Sequence, residues 1–310
     1  MNQEDLPNSK SSKNQERLVT VSQGRNSSLN LYPSKEDINI RYIPYNIKNI
    51  NLNYGVRIIQ EQNDLQNQQL DFEVNVSVIE DEDIYAFKIS RSQVYVNNNS
   101  PNTTIDEIAN LCGGVLFPVL IDFYDYTIKN IPEIKGRWFE LKKTLKKRFQ
   151  GDYITNYIYS MEQTLKNDLA INQALRQDMF LSIWKHTLET RAYDEMLRSK
   201  VIFNFPIMPY TNSIRYEGNQ DVKKHYTTYN TIKTILKGKI AENRSVNDLK
   251  NKKRFSTEAT VEGSKPEGDC DVEYDLDRKT GVLKFFKSKT TIKLEKDSRF
   301  TTLIINELIN

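Results

Sequence analysis

The chain has 310 residues, a length that suits one large domain or two ordinary ones. Hydrophobic residues make up 38% and aromatic residues 10%, so a folded core can form, and 44 basic against 41 acidic residues leave a net charge of +3. This balance excludes a strongly basic nucleic-acid or membrane binder, so any anion-binding site must be a local patch. Two His and two Cys remove most metal sites and nucleophile-based active sites from consideration.

The N-terminal residues 1–17 are polar and predict a disordered tail. They contain no apolar segment typical of a secretory signal, and no later stretch reaches the ~20 apolar residues of a membrane-spanning helix. Cys112 and Cys270 lie far apart in the chain, which favours two buried thiols over a disulfide. These features predict a cytoplasmic protein.

Residues 18–131 are predicted to be mainly β. Apolar and polar residues alternate in two stretches, 54–60 and 72–78, as in strands with one buried face. The polar stretch 61–69 between them predicts a hairpin loop. Further elements are strands at 84–89, 94–96 and 115–128, and a short helix at 105–111.

Between residues 132 and 200 the period of the apolar residues changes from 2 to 3.6, which predicts a helical segment with three helices. Pro132 and Gly151 bound the first helix. Its apolar stripe, expected to face the sheet, is formed by Ile134, Trp138, Leu141, Leu145 and Phe149. The pattern leaves open whether the second and third helices are continuous.

Residues 201–310 are predicted to be mainly β again, with strands near 226–240, 270–276, 282–287, 291–295 and 300–305. A run of strands, then helices, then strands indicates an α+β fold rather than alternating βαβ units. We therefore expect a mostly antiparallel sheet to which residues 18–131 and 201–310 both contribute, packed against the central helical segment.

Acidic residues alternate with Cys or apolar residues from Asp269 to Asp277. An EF-hand loop would need a glycine and a final glutamate where this chain has Tyr274 and Thr280. Same-face neighbours on a strand lie about 7 Å apart, so one ion could reach two of these acids at most. We predict no metal site here, but a strand face whose acids pair across the hairpin with Lys284, Lys287 or Lys289.

The predicted helix over 135–148 is the strongest candidate for a binding surface. It carries a single acid, Glu140, against seven basic residues that could bind a partner, namely Lys135, Arg137, Lys142, Lys143, Lys146, Lys147 and Arg148. An acidic protein is the expected partner, and an anionic membrane or nucleic acid is the alternative. A solvated helix face with basic residues favoured by the helix dipole would explain the same pattern without any partner.

No residue pattern predicts catalysis: the chain contains no nucleophile elbow, phosphate loop or dinucleotide fingerprint. His186 and His225 each stand alone. We expect a non-enzymatic cytoplasmic interaction protein without a cofactor, such as an adaptor, chaperone or accessory subunit of a larger bacterial assembly, for instance a secretion machine. The alternatives are a binder of an anionic polymer or membrane surface, and a hydrolase that uses carboxylates alone, such as Asp122 and Asp125.

Overall fold

The structure is a computed structural model that describes residues 50–63, 65–81, 84–189, 198–208, 211–223, 226–257 and 265–309. The predicted tail at 1–17 and the start of the predicted β part at 18–49 lie outside the described residues. Within the described ranges the chain forms eleven strands and six helices, and all the strands belong to one sheet. The predicted α+β fold is confirmed.

The strands are β1 Asn51–Gln62, β2 Leu65–Asp81, β3 Ile84–Arg91, β4 Tyr95–Val96, β5 Val119–Asp122, β6 Arg198–Phe205, β7 Ile214–Val222, β8 Thr231–Ile240, β9 Asp269–Asp277, β10 Leu283–Leu294 and β11 Asp297–Leu308. The helices are α1 Thr104–Gly114, α2 Ile131–Arg148, α3 Asp152–Leu165, α4 Asp168–Leu175, α5 Met179–Glu189 and α6 Val246–Lys250.

The sheet is antiparallel throughout, in the order β5-β3-β2-β1-β11-β10-β9-β8-β7-β6, with β4 paired to β2. Its N- and C-terminal parts join where β1 pairs with β11, which places Val56 opposite Ile305. Both side chains are buried. The strands at the two ends of this order are β5 and β6. In the sequence, these two strands flank the helical segment.

Helix α5 lies in the core and touches strands from the middle and both halves of the sheet. Its aromatic contacts are Phe180 with Tyr54 of β1 (5.5 Å between ring centroids), Trp184 with Phe87 of β3 (4.5 Å) and His186 with Phe203 of β6 (3.9 Å). Ten flat strands would span about 43 Å at their usual spacing, whereas a helix is about 10 Å across. The sheet must therefore curve around α5.

The helical segment contains four helices, α2 to α5, so the prediction of three is wrong. The expected second helix ends at Leu165, and Asn167 then caps α4 by accepting a hydrogen bond from the Ala170 N–H (2.7 Å). The stripe of α2 is buried at Trp138 and Leu145, as predicted, and α2 packs against α1 and α3.

Two predicted elements in the first half need correction. The hairpin loop expected at 61–69 is mostly strand, because β1 and β2 stay paired as far as Gln62 and Leu65. Backbone pairing does not require apolar side chains, so the polar composition of this stretch was not evidence for a loop. The strand expected at 115–128 is limited to β5, since the Asp122 carboxylate accepts hydrogen bonds from the N–H groups of Tyr124 and Asp125 and so forms a turn.

The acidic row is strand β9, as predicted, with its apolar residues buried. The predicted lysine partners on β10 are wrong, because no described ion pair joins them to an acid of β9. Glu273 pairs instead with Lys233, and Asp271 with Lys237 (3.7 Å), both on β8. The cause is the sheet order, since β9 lies between β10 and β8. Strand β8 also carries lysines, and the sequence of the β9–β10 hairpin does not show that β8 is the other neighbour of β9.

Candidate partner-binding surface and seam cavity

The structure places all seven predicted basic residues on α2, but most of them have partners within the chain. Four pair with carboxylates, namely Lys135 with Asp168 (3.0 Å), Lys142 with Glu162, Lys143 with Glu140 (2.8 Å) and Arg148 with Glu107 (2.7 Å). The acids come from α1, α3 and α4 as well as from α2 itself. The positive charge seen in the sequence of one helix is therefore partly neutralised by its neighbours.

Arg137 has a structural role. Its Nε donates a hydrogen bond to the carbonyl oxygen of Val115 (2.9 Å), and its Nη2 donates to that of Pro118 (2.9 Å). Burial lowers the pKa of this guanidinium. Both carbonyl groups belong to the segment between α1 and β5, so Arg137 holds that segment to α2 and is poorly placed to bind a partner.

The side chains of the two remaining residues, Lys146 and Lys147, are exposed and form no hydrogen bond or ion pair with any described residue. Lys143 is also exposed, and its ammonium lies 4.1 Å from the ring centroid of Phe139. Phe139 itself is 59% exposed, although it is a large apolar residue in the middle of a helix. Exposed positive charge and exposed aromatic surface thus occur side by side on α2.

A groove lies between α2 and α3, close to the turn that joins them, with a volume of about 500 Å³. We call it the hairpin groove. Lys142 and Lys146 lie on one side, and Tyr159, which is 62% exposed, lies on the other. One acid, Glu162, contributes to the lining and pairs with Lys142. Lys146 therefore gives the groove a positive charge that no described carboxylate of its lining neutralises.

A second concave site lies where the two edge strands of the curved sheet approach each other. Its volume is about 450 Å³, and its walls come from β5 and the hairpin that follows it, from α4, α5 and β6, and from the loop before β7. We call it the seam cavity. Ile121 of β5 and Phe203 of β6 both line it, although they stand at opposite ends of the strand order.

The seam cavity is lined by both apolar and polar residues. The apolar and aromatic lining residues are Ile121, Tyr126, Ile128, Leu175, Leu181, Trp184 and Phe203. The uncharged polar ones are Asn172, Gln177, Ser182, Asn204, Asn212 and Ser213. The remaining three are Arg176, Lys185 and His186.

The seam cavity carries positive charge and, within the described residues, no carboxylate lines it. Arg176 is exposed, and Lys185 lies 5.1 Å from the ring centroid of Tyr126. His186 does not add to this charge at neutral pH, because burial lowers its pKa to about 4. Two cations on a partly apolar wall suit a negatively charged molecule with an apolar body.

The described residues contain no cluster of three or more His, Cys, Asp or Glu side chains that could hold one metal ion. Cys112 and Cys270 are free and buried, and burial raises their thiol pKa values to about 11 and about 12. Asp122 forms the turn described above and pairs with Lys129 (3.0 Å). His225 lies outside the described residues.

No pattern in the sequence predicts the seam cavity. Its lining comes from five separate segments of the chain, and none of them carries a recognisable pattern. The nearest signal was the sequence Trp184-Lys185-His186 at the end of a predicted helix, which gave no reason to expect a concave site.

The helices that the structure describes are too short or too polar to cross a bilayer. Comparison with known proteins returned neither a matching protein-family model nor a matching curated protein. One solved structure, described as lipid-protein interactions in lipovitellin, is similar to this chain at 9% sequence identity and a TM-score of 0.44. The match covers 84% of this chain and 25% of that one, so the chain spans about a quarter of the other protein's length. At this level, the similarity assigns neither a family nor a ligand.

Proposed function

We propose that the protein is a non-enzymatic interaction protein that binds an acidic segment of a partner protein on the outer face of α2 and α3. The observation that carries this proposal is the pairing of exposed aromatic surface with exposed lysines: Phe139 beside Lys143, and Tyr159 across the hairpin groove from Lys146. Aromatic residues are enriched at protein interfaces, and unpaired charges at the rim guide association with a partner of opposite sign.

The charge pattern favours a protein partner over a polyanion or a membrane. Binding to nucleic acid or to anionic lipid gains from a continuous surface of one sign. On the surface formed by α2 and α3, carboxylates lie beside some of the basic residues, as in the pairs Lys142–Glu162 and Lys143–Glu140. These acids would repel phosphate groups, whereas a protein can present charges of both signs.

We place this role in the cytoplasm, where thiols such as Cys112 and Cys270 remain reduced. An adaptor, a chaperone or an accessory subunit of a larger bacterial assembly, such as a secretion machine, would use the surface in this way. The carboxylates considered for a hydrolase are engaged in local structure, since Asp122 accepts hydrogen bonds from the Tyr124 and Asp125 N–H groups and Asp125 accepts one from the Thr127 N–H, which favours a binding protein.

Site-specific photocrosslinking in cells of the native host tests the proposal. A photoreactive phenylalanine analogue replaces Tyr159 in one variant and Tyr229 in a control, because both tyrosines are 62% exposed. Tyr229 lies outside the helices. We expect a defined crosslinked protein from position 159 and not from position 229.

The captured protein is then purified, and its affinity is measured for the wild type, Lys146→Glu and the control Lys279→Glu. We expect Lys146→Glu to weaken binding at least about tenfold, because it replaces attraction with repulsion, and Lys279→Glu to have little effect. Equal crosslinking from both positions, or equal affinities of all three proteins, would contradict the proposal. A third contradictory outcome is that the wild type binds phosphatidylserine vesicles or single-stranded DNA, and that Lys146→Glu abolishes this binding but leaves binding to the captured protein intact.

A further inference from the structure

The seam cavity is independent of the α2–α3 surface and has the features of a small-molecule site. Its volume of about 450 Å³ falls within the range of ~300–1,000 Å³ that is usual for ligand pockets. It lies between the two edge strands of the described sheet, β5 and β6, which both contribute residues to its lining. The outer edge of β5 is already covered, since Lys129 N–H donates to the Leu120 carbonyl (2.9 Å).

The floor of the seam cavity can hold an apolar body. Trp184 and Leu181 of α5 are 2% and 6% exposed and are fixed in the core, where Trp184 packs edge-on against Phe87. Phe203 of β6 is 1% exposed and lies against His186. Because these side chains are almost fully buried, they form a fixed support, and the apolar surface that a ligand can contact comes from the half-buried Ile121, Tyr126 and Ile128.

The charged side chains that line the seam cavity indicate that its ligand carries a negative charge. The backbone N–H of Arg176 donates to the Asn172 carbonyl (3.0 Å), but its guanidinium forms no hydrogen bond or ion pair with a described residue, so the five N–H donors of the side chain remain available. Lys185 supplies a second cation beside Tyr126. Asp178, two residues from Arg176 in the chain, does not line the cavity and pairs with Arg91 (3.2 Å), so it does not neutralise the Arg176 guanidinium.

We propose that the seam cavity binds a small amphiphilic anion, with its apolar body against Ile121, Tyr126 and Ile128 and its anionic group at Arg176 and Lys185. Uncharged polar residues such as Asn204 and Ser213 also line the cavity and can form further hydrogen bonds.

Calorimetry with three probes of equal chain length tests the sign of charge: decanoate, decanol and decyltrimethylammonium. We expect one molecule of decanoate to bind, decanol to bind more weakly, and the cation not to bind. In the double variant Arg176→Gln/Lys185→Gln, decanoate should lose at least about tenfold in affinity, the effect of removing one hydrogen bond to a charged group, while decanol is unchanged. The matched control is Lys200→Gln/Arg215→Gln, which removes two cations that do not line the cavity and should leave decanoate affinity unchanged.

The position of the apolar body is tested with Ser213→Trp, which fills the cavity and should abolish the binding of both decanoate and decanol. If this variant does not fold, the charge variants still decide the outcome. No decanoate binding to the wild type, equal binding of decanoate and decanol, or an undiminished decanoate affinity in Arg176→Gln/Lys185→Gln would each overturn the proposal. Decanoate that still binds to folded Ser213→Trp would show a different site and overturn it as well.

Discussion

The Nη1 atom of Arg91 lies 3.2 Å from the Oδ2 atom of Asp178, and this ion pair joins β3 to the start of α5. Asp178 also accepts a hydrogen bond from the Leu181 N–H (3.0 Å), so it caps the helix. The guanidinium group lies 4.4 Å from the ring centroid of Phe117, and both charged side chains are more than four-fifths buried. One contact therefore fixes the end of the helix around which the sheet curves.

Replacing Asp178 should destabilise the whole domain. We expect Asp178→Ala to lower the free energy of unfolding by about 2–5 kcal/mol, because it removes the helix cap and leaves the Arg91 guanidinium without its carboxylate. Urea denaturation measures this loss. The control is Asp168→Ala, whose ion pair with Lys135 is exposed on both sides and should contribute less than about 1 kcal/mol. Similar losses in the two variants would mean that the Arg91–Asp178 pair is no stronger than a surface pair.

Two adjacent aromatic residues of α2 should differ sharply in their effect on stability. Trp138 is 6% exposed, whereas Phe139 is 59% exposed. Trp138→Ala should lower the free energy of unfolding by about 3–5 kcal/mol, the usual loss for a buried aromatic side chain. Phe139→Ala should change it by about 0.5 kcal/mol or less. Chemical denaturation of both variants checks this, and a Trp138→Ala loss below about 1 kcal/mol would show that the stripe of α2 is not part of the core.

His186 should make stability depend on pH. Burial lowers its pKa from 6.5 to about 4, so between these values the unfolded chain binds a proton that the folded chain does not. Its contribution is therefore complete above pH 6.5 and is lost as the pH falls from 6.5 towards 4, by about 2–3 kcal/mol.

This pH effect is measured by urea denaturation of the wild type and His186→Gln at pH 7 and pH 4. All other titrating groups are shared, so the difference between the two proteins isolates His186. We expect the wild type to lose about 2–3 kcal/mol more than the variant over this range. Parallel pH profiles of the two proteins would show that His186 is accessible to protons in the folded state.

The acids of β9 should not bind calcium. Glu273 and Asp271 pair with lysines of β8, and the alternation of the strand keeps successive same-face acids about 7 Å apart. Calorimetry should show no calcium binding tighter than about millimolar, the weak end of the range for oxygen-ligand sites. Micromolar affinity that disappears in Asp271→Asn and Glu273→Gln would require a different arrangement of this strand.

Much of the secondary structure in this protein, though not the loop at 61–69, the strand at 115–128 or the number of helices, could be predicted from short stretches of sequence, because the signal for it is local. The alternation in 72–78 and in β9 marks strands with one buried face, and the 3.6-residue spacing of Trp138 and Leu145 marks the buried side of α2. The change of period near residue 132 also separated the helical segment from the two β parts, which was enough to predict the α+β class.

The neighbours of each element were decided by the tertiary structure. Val56 faces Ile305, and Glu273 pairs with Lys233 rather than with a lysine of its own hairpin. The basic residues of α2 could be predicted, but their neutralisation depends on acids such as Glu107 and Asp168 on other helices. The seam cavity exists because the curved sheet brings β5 and β6 to the same helix. A sequence shows which face of an element is apolar, whereas the partner of that face follows from how all such faces are buried together in three dimensions.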